Sequence, residues 1–334
     1  MTIFRTATRP ADFDTTPTTK GLNESVSTTT DTSFVDPNYV THSFRPFGDG
    51  VSIYGNFVHP EPSGNELWIH FNFRWQTGYN DDDGHFLYVY DSNGNLVFWI
   101  DVLNWNLTAY VYGESSASQS WNEMRVASVS PMDIRLVVDG LVTKAALFIN
   151  NTFIKEISTP NTVPTVGKPA RTLFTISDMG DNKGLYVSEI IVADEETRGM
   201  RLAQFSLTTA GTYSQFDEGD FSTSFDNNDG TGARSATALQ KTSGVIGTYN
   251  GATTDYEIKD VIVKSRAWKT ENSPIGDIRH FLRIGSTDYE NSTLHAVSSD
   301  YRYTFNSSFT TNPATSSAWT FSDLVNLEAG LKTE

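Results

Sequence analysis

Two carboxylates stand close together in the stretch FDEGDFSTSF, residues 216–225. Glu218 and Asp220 are two positions apart, so on a strand their side chains would share one face. Glycosidases use such a pair, roughly 5 to 9 Å apart, as the acid and the nucleophile or base. The next position on that face is Ser222, and Gly219 favours a loop. We therefore predict no catalytic residues here and no enzyme activity.

Two stretches rich in Asp, Asn and Gly suggest a calcium site. They are NDDDGHF (80–86) and DNNDGTG (226–232), and Asp81 and Asp83 are the candidate ligands. Calcium takes carboxylate and carbonyl oxygens from turns, but neither stretch has the helix-flanked loop with its later Glu. Because the same residue types also make ordinary turns, we predict turns, no cofactor, and calcium as the alternative.

Other catalytic signatures are missing from the sequence. The six histidines include no pair at metal-ligand spacing, and no G-x-S-x-G elbow, P-loop or dinucleotide fingerprint occurs. We therefore predict no nucleotide cofactor and no His-based metal centre.

Aromatic residues cluster in VFWIDVLNWNLTAYVYGE, residues 97–114. Rings exposed on a sheet can stack on sugar faces or fill a protein interface, and both alternatives stay open for Trp105, Tyr110 and Tyr112. Trp105 lies between two asparagines near a turn, so we expect it to be the most exposed ring. Trp99 we expect in the core.

The charge of the chain limits its partners. The 334 residues carry a net charge of −16 and no Cys. Nucleic acid and anionic lipid need clustered Lys and Arg, so we expect neither as a partner. The sequence has no apolar run of about 20 residues and no apolar core of a secretory signal. We therefore expect that the protein is synthesised in a cytoplasm and that it does not insert into a membrane.

Strand signals dominate the middle of the chain. ELWIHFNFRW (66–75) alternates apolar and polar residues, which predicts a half-buried strand. Asn93-Gly94, Asp139-Gly140 and Asn150-Asn151 lie between apolar runs and predict tight hairpin turns. Frequent short strands of this kind predict an all-β fold, an antiparallel sandwich or jelly roll.

Shifts in composition divide the chain into four predicted parts. Residues 1–32 are Thr-rich, which predicts an extended arm. We predict the jelly roll over residues 33–207, a second small β domain over 208–314 and a helix over 315–334. The helix is predicted because Thr320 and Asp323 form a cap and Leu324, Leu327 and Leu331 recur at helical spacing. An apolar stripe of this kind can close a sheet edge or join subunits, and we assign assembly to Trp319, Leu324 and Leu327.

Several stretches resemble known families. DIRLVVDGLVTKAALFINNTFIKEI (133–157) is similar to the paired strands of concanavalin A-like, laminin-G-type jelly rolls. LYVSEIIVADEETRGMRL (185–202) resembles the exit segment of virion structural proteins of tailed bacteriophages. Asn312-Pro313, Trp319-Thr320 and a helix ending in Gly330-Leu331 resemble the C-terminus of such proteins.

The resemblance implies a location more than a chemistry. We predict a structural virion protein of a tailed phage, a decoration, spike or fibre component that forms a homo-oligomer and contacts other virion proteins. A carbohydrate-binding module that recognises a host surface glycan is the alternative, and a glycoside hydrolase is the third possibility.

Overall fold

The computed structural model describes residues 2–7, 53–75, 83–103, 106–122, 129–163, 165–176, 185–205, 207–219, 232–248, 256–299 and 303–334. The chain divides into two compact units, Met1–Gln204 (unit 1) and Phe205–Glu334 (unit 2). Both are built from antiparallel β-sheets, as the sequence predicts. Among the residues described, no helix is long and apolar enough to cross a membrane.

Unit 1 is a sandwich of two six-stranded sheets. Its strands are β1 (Ile3–Ala7), β2 (Ile53–Val58), β3 (Glu66–Trp75), β4 (Asp83–Asp91), β5 (Leu96–Leu103), β6 (Asn106–Tyr112), β7 (Ser116–Asn122), β8 (Ser130–Val138), β9 (Val142–Ile149), β10 (Thr152–Pro160), β11 (Pro169–Ile176) and β12 (Leu185–Ala193). Sheet A has the order β1-β12-β3-β8-β9-β10, and sheet B has the order β2-β11-β4-β5-β6-β7. The strand order places β4, β5, β6 and β7 side by side as a meander in sheet B.

The predicted hairpins are present. Gly94 has a φ of 85° in the turn between β4 and β5, and Gly140 has a φ of 79° between β8 and β9. Positive φ is accessible to glycine at little steric cost, which is why these two positions carry it. At the first turn the Asp91 carboxylate accepts hydrogen bonds from the amides of Asn93 and Asn95, at 2.9 and 2.7 Å.

The core lies between sheets A and B. Leu67, Ile69, Phe71 and Phe73 of β3 all point into it and are at most 1% exposed, which confirms the predicted apolar face. The ring of Phe71 meets that of Phe86 from sheet B at a centroid distance of 5.3 Å. This ring contact joins the two sheets at the centre of the sandwich.

The prediction that β3 is only half-buried is wrong. Trp68, His70 and Asn72 on its other face are at most 4% exposed. Residues 194–204, which follow β12, lie over this outer face of sheet A, and we call them the strap. Thr197 of the strap donates a hydrogen bond of 2.7 Å to Asp133, which also accepts one of 2.9 Å from His70.

A second polar contact holds the strap farther along. Arg201 donates two hydrogen bonds, of 2.9 and 2.7 Å, to the fully buried Glu189 carboxylate. Asn72 donates a third, of 2.7 Å, to the same carboxylate. A buried carboxylate is tolerated when it is paired and hydrogen-bonded in this way. The strap therefore converts a polar sheet face into a second buried layer.

The start of the predicted N-terminal arm is a strand instead. β1 pairs with β12, with Ile3 opposite Ala193, and so forms an edge of sheet A. The ring of Phe4 stacks on His59 at 5.5 Å and packs against the core. This pairing and burial explain why Ile3–Ala7 is ordered in the fold. Residues 8–32 of the predicted arm lie outside the described residues.

Unit 2 has a larger sheet and a two-stranded sheet. Sheet C contains β13 (Leu207–Ser214), β14 (Lys241–Ile246), β16 (Asp277–Ile284), β17 (Thr287–Glu290), β18 (His295–Ala296) and β20 (Glu328–Thr333). Its order is β13-β14-β20-β16-β17, with β18 also paired to β16. β15 (Val261–Ala267) and β19 (Tyr303–Phe309) form the small sheet.

The predicted C-terminal helix is wrong beyond its first turn. Asp323 accepts a hydrogen bond of 2.8 Å from the amide of Thr320, but the helix that follows is a single 3-10 turn, Phe321–Leu324. The chain then enters β20, which pairs with β14 on one side and β16 on the other. Ala329 and Leu331, two apart, both point into the core. Pairing on both edges therefore outweighs the helical spacing of the leucines.

The three residues predicted as assembly contacts lie in the core of unit 2. Trp319 is 4% exposed, and its indole N–H donates to the carbonyl of Phe309 at 2.5 Å. Leu324 and Leu327 are 9% and 2% exposed. Their apolar area is buried within their own unit, which is a folding role.

Candidate functional site

The outer face of sheet B carries the candidate site. In β5, Phe98 and Ile100 point into the core, so Trp99 between them points outward. The same alternation in β6 buries Ala109 and Val111 and leaves Tyr110 on the outer face. The strand period thus turns large rings of neighbouring strands to one side of the sheet.

The register of the strands lines these rings up. Tyr88 of β4 is paired with Trp99, and Trp99 with Tyr110 of β6. The ring centroids of Tyr88 and Trp99 are 5.6 Å apart, and those of Trp99 and Tyr110 are 4.8 Å apart. We call these three residues the aromatic row.

The aromatic row is half-buried, and each ring supports the next. Trp99 is partly exposed between its two tyrosine neighbours, so the expectation that it belongs to the core is wrong. Its position follows from the strand period, because the core positions of β5 are already filled by Phe98 and Ile100. The rings are tilted against each other, by 40° for Tyr88 and Trp99 and by 59° for Trp99 and Tyr110, so each ring restricts the rotamers of the next.

A charged group stands at one end of the row. Tyr90, two residues after Tyr88, stacks on it with centroids 6.0 Å apart. The guanidinium carbon of Arg171 lies 4.2 Å from the centroid of the Tyr90 ring, a cation–π contact. This end of the face is therefore cationic.

Polar groups border the row on its other side. Asp101, Thr108 and Ser120 are paired across β5, β6 and β7, and the hydroxyls of Thr108 and Ser120 are 2.8 Å apart. Burial, followed by the negative charge of Asp101, raises the pKa of Tyr110 above its usual value. The Tyr110 hydroxyl therefore remains protonated, and able to donate, at neutral pH.

Tyr112 packs against a small apolar cluster. Val97, Val138 and Val166 are buried together, with Tyr112 packed against them. The loop that carries Val166 is held by Asn161, whose side-chain amide donates a hydrogen bond of 3.1 Å to the Val166 carbonyl. Burial also raises the pKa of Tyr112, with smaller effects from Tyr110 and Asp101. Tyr112 is therefore fixed by packing against this cluster.

The structure does not describe the side chains of three other residues that the sequence analysis named as candidates. Trp105 and Asp81 lie outside the described residues, and Asp83 begins β4 with its side chain also outside them. In the ranges that the structure covers, no group of three or more His, Asp or Glu side chains is placed to hold a metal ion.

The carboxylate pair considered for catalysis is not assembled in the described residues. Glu218 is exposed and pairs with Arg234, with 3.3 Å between the carboxylate and the guanidinium. Asp220 lies outside the described residues. An exposed ion pair of this kind is what a surface turn provides.

Tyr88, Tyr90 and Arg171 belong to the face but were not identified from the sequence. Tyr88 and Tyr90 alternate with core residues in FLYVYD, and the Asn93-Gly94 turn aligns that run with Trp99. This register could have placed both tyrosines beside Trp99. Arg171 comes from β11, more than 60 positions after Tyr110 in the sequence, and carries no local signal.

No protein-family model matches the chain, and no curated protein matches it. Solved structures with similarity to it include the botulinum neurotoxin type G receptor binding domain, at 12% identity and a TM-score of 0.35, over 55% of this chain and 48% of that chain. The chain thus spans about half the length of the neurotoxin domain.

Two further similar structures are smaller domains. The cellulose induced protein Cip1 matches at 14% identity and a TM-score of 0.35, over 46% of this chain and 80% of that chain. The CBM2 module of the evolved Dit of Lactobacillus casei BL23 phage J-1 matches at 11% identity and a TM-score of 0.35, over 48% of this chain and 77% of that chain.

Proposed function

We propose that unit 1 binds carbohydrate on the outer face of sheet B, without cleaving it. The observation that carries this proposal is the aromatic row: Tyr88, Trp99 and Tyr110, three half-buried rings in register on adjacent strands. A sugar ring has an apolar C–H face that stacks on such rings and a rim of hydroxyls that needs polar partners.

The polar border supports a sugar over a protein partner. Asp101 accepts hydrogen bonds from sugar hydroxyls, and the hydroxyls of Thr108 and Ser120 both donate and accept. The core of a protein interface, in contrast, is depleted of charged residues. A carboxylate directly beside the rings therefore favours a hydroxyl-rich ligand.

The test is binding to a glycan array by the wild-type protein and by Trp99→Ala. Base–aromatic stacking, a comparable contact, contributes roughly 1 to 3 kcal/mol, so Trp99→Ala should weaken binding by about tenfold or more. Trp268→Ala, which removes a 39% exposed tryptophan of unit 2, is the matched control and should bind as the wild type does.

The outcomes separate the alternatives. Selective loss of binding in Trp99→Ala, with the bound glycan recovered uncut, supports a binding function. An array without any bound glycan, or equal binding by Trp99→Ala and the wild type, would rule out the aromatic row as a carbohydrate site. Shortened glycans after incubation would instead indicate a hydrolase.

We further propose that the protein is a homo-oligomeric virion component of a tailed phage that recognises a host surface glycan. This part rests on the sequence resemblance at Asn312-Pro313 and Trp319-Thr320. The third element of that resemblance is altered, because Gly330-Leu331 lies in β20 and not in a helix. Antibody labelling of particles by electron microscopy, with light scattering of the purified protein, tests it. Unlabelled particles and a monomeric mass would contradict it.

A further inference from the structure

Arg171 has an unusual environment for a charged side chain. It projects from β11 onto the outer face of sheet B, where its cross-strand neighbours are Val58 and Tyr90. The residue is half-buried, with its guanidinium 4.2 Å from the centre of the Tyr90 ring. Among the described residues no carboxylate pairs with it, and its buried Nε has no hydrogen-bond acceptor.

Three other half-buried arginines among the described residues are paired with carboxylates. Arg201 binds Glu189, Arg135 binds Glu66, and Arg283 binds Asp288. The chain has 40 acidic and 24 basic residues, so carboxylates are abundant. A partly desolvated charge is normally matched by an opposite charge, and Arg171 departs from this rule in an acidic protein.

The carboxylate of β4 that is closest to Tyr90 in the sequence, that of Asp91, already accepts other hydrogen bonds. Asp91 follows Tyr90, but its carboxylate accepts hydrogen bonds from the amides of Asn93, Asn95 and Gly167. It is 3% exposed and serves the hairpin turn. Its hydrogen bonds are directed to that turn and to the loop after β10, so it does not neutralise Arg171.

Asp101, another carboxylate that the described residues place on this face, is too far away to pair with Arg171. Asp101 lies two strands from Arg171 and about four residues along the sheet, which amounts to roughly 15 Å at ordinary strand spacing. The face therefore has a cationic end at Arg171, stacked rings in the middle and a carboxylate at the opposite end. The guanidinium carbon lies 4.2 Å from the centre of the Tyr90 ring, so the donors of the guanidinium lie beside the aromatic residues of this face.

We propose that the glycan bound by unit 1 carries an anionic sugar, whose carboxylate or sulfate binds Arg171 while an adjoining sugar ring stacks on Tyr88 and Trp99. This inference rests on the proposed function and defines the substrate class for the same face. Arginine is suited to the role because its fork donates paired hydrogen bonds to anionic oxygens.

The experiment uses matched pairs of glycans with the full-length protein. Each pair contains an anionic glycan and its uncharged counterpart: sialyllactose with lactose, oligogalacturonate with its methyl ester, and a sulfated glycan with the unsulfated one. We expect at least one anionic member to bind about tenfold or more tighter than its counterpart, since a charge-assisted hydrogen bond contributes enough for that factor. The three pairs distinguish a carboxylate from a sulfate.

Three variants locate the effect. Arg171→Gln should remove the preference for the anionic member and leave binding of the uncharged member unchanged, whereas Trp99→Ala should weaken both. Lys155→Gln, on β10 of sheet A, removes a positive charge away from this face and should keep the preference. Arg171→Lys keeps the charge without the fork and should reduce the preference, which gives a second measurement if Arg171→Gln does not fold.

Each result has one meaning. Equal binding of both members by the wild type, or a preference unchanged in Arg171→Gln, overturns the anionic sugar and leaves Trp99-dependent carbohydrate binding standing. No binding to any glycan overturns both proposals. A preference that disappears only in the Arg171 variants supports the inference.

Discussion

Acid should destabilise unit 1 through a single buried histidine. His59 is 4% exposed; its Nδ1–H donates to the carbonyl of Pro60 at 3.0 Å, and its Nε2 accepts from Thr172 at 3.1 Å. The ring also stacks on Phe4. Burial lowers the pKa of His59 to about 4, although the Pro60 carbonyl acts in the opposite direction. The folded protein therefore keeps this ring neutral.

The sign and size of the effect follow from linkage. Below the ordinary pKa of 6.5 the unfolded chain binds a proton at His59, whereas the folded chain does so only near its pKa of about 4. Stability is thus fully present above pH 6.5 and falls as the pH drops from 6.5 to about 4. At 1.36 kcal/mol per pH unit, the loss between pH 8 and pH 5.5 is about 1.4 kcal/mol.

Unit 2 contains two groups that act in opposite directions. Burial, with a smaller effect of His295, lowers the pKa of His280 to about 3. This shift lowers the stability of unit 2 by about 1.4 kcal/mol when the pH falls from 8 to 5.5. Burial raises the pKa of Asp260 from 3.8 to about 6, so this carboxyl destabilises the fold above pH 6 and regains about 0.8 kcal/mol by pH 5.5. The net loss from these two groups is about 0.6 kcal/mol.

Urea unfolding at pH 8 and pH 5.5 measures these differences. His59→Gln should lose about 1.4 kcal/mol less than the wild type between the two pH values, because glutamine does not titrate. His280→Gln should show the same reduction for its own unit. If His59→Gln keeps the pH dependence of the wild type, or if the His59 ring titrates above pH 6 by NMR, the assignment of the acid sensitivity to this ring is refuted.

Two further substitutions test the packing of the fold. Gly330→Ala would place a methyl carbon 2.2 Å from the ring of Phe281 and should destabilise unit 2 by roughly 1 to 3 kcal/mol in thermal unfolding, whereas Gly276→Ala, with nothing within 4 Å, should be nearly neutral. Glu189→Gln should cost roughly 3 to 5 kcal/mol because it leaves the arginine of the strap without its buried partner. Glu196→Gln removes a 52% exposed carboxylate and should cost at most about 1 kcal/mol, so equal losses in both Glu variants would contradict the strap contact.

Local signals predicted the fold where local physics decides it. The Asn93-Gly94 and Asp139-Gly140 turns need positive φ, and glycine supplies it at Gly94 and Gly140. The alternation of apolar and polar residues in β3 identified its core face, because the strand period assigns each side chain to one face of the sheet. These features depend on residues close together in the sequence.

Features that depend on distant partners were not accessible from the sequence. The outer face of β3 is buried because residues 194–204 return over it, more than 120 positions later. Helical leucine spacing at the C-terminus was overridden by pairing of β20 with β14 and β16. Within the candidate site, Tyr110 and Tyr112 were identified from a local cluster, while Arg171 became visible only once β11 was placed beside β4.

The two outer faces of unit 1 differ in what covers them. On sheet A, Thr197 of the strap donates a hydrogen bond to Asp133, which also binds His70, so that polar face is buried. On sheet B the corresponding positions hold the aromatic row, which remains half-exposed beside Asp101. The strap covers the outer face of sheet A, whereas the large rings on the outer face of sheet B stay partly exposed. We therefore propose the face of sheet B as the binding surface, because a ligand with an apolar face and polar edges can stack there.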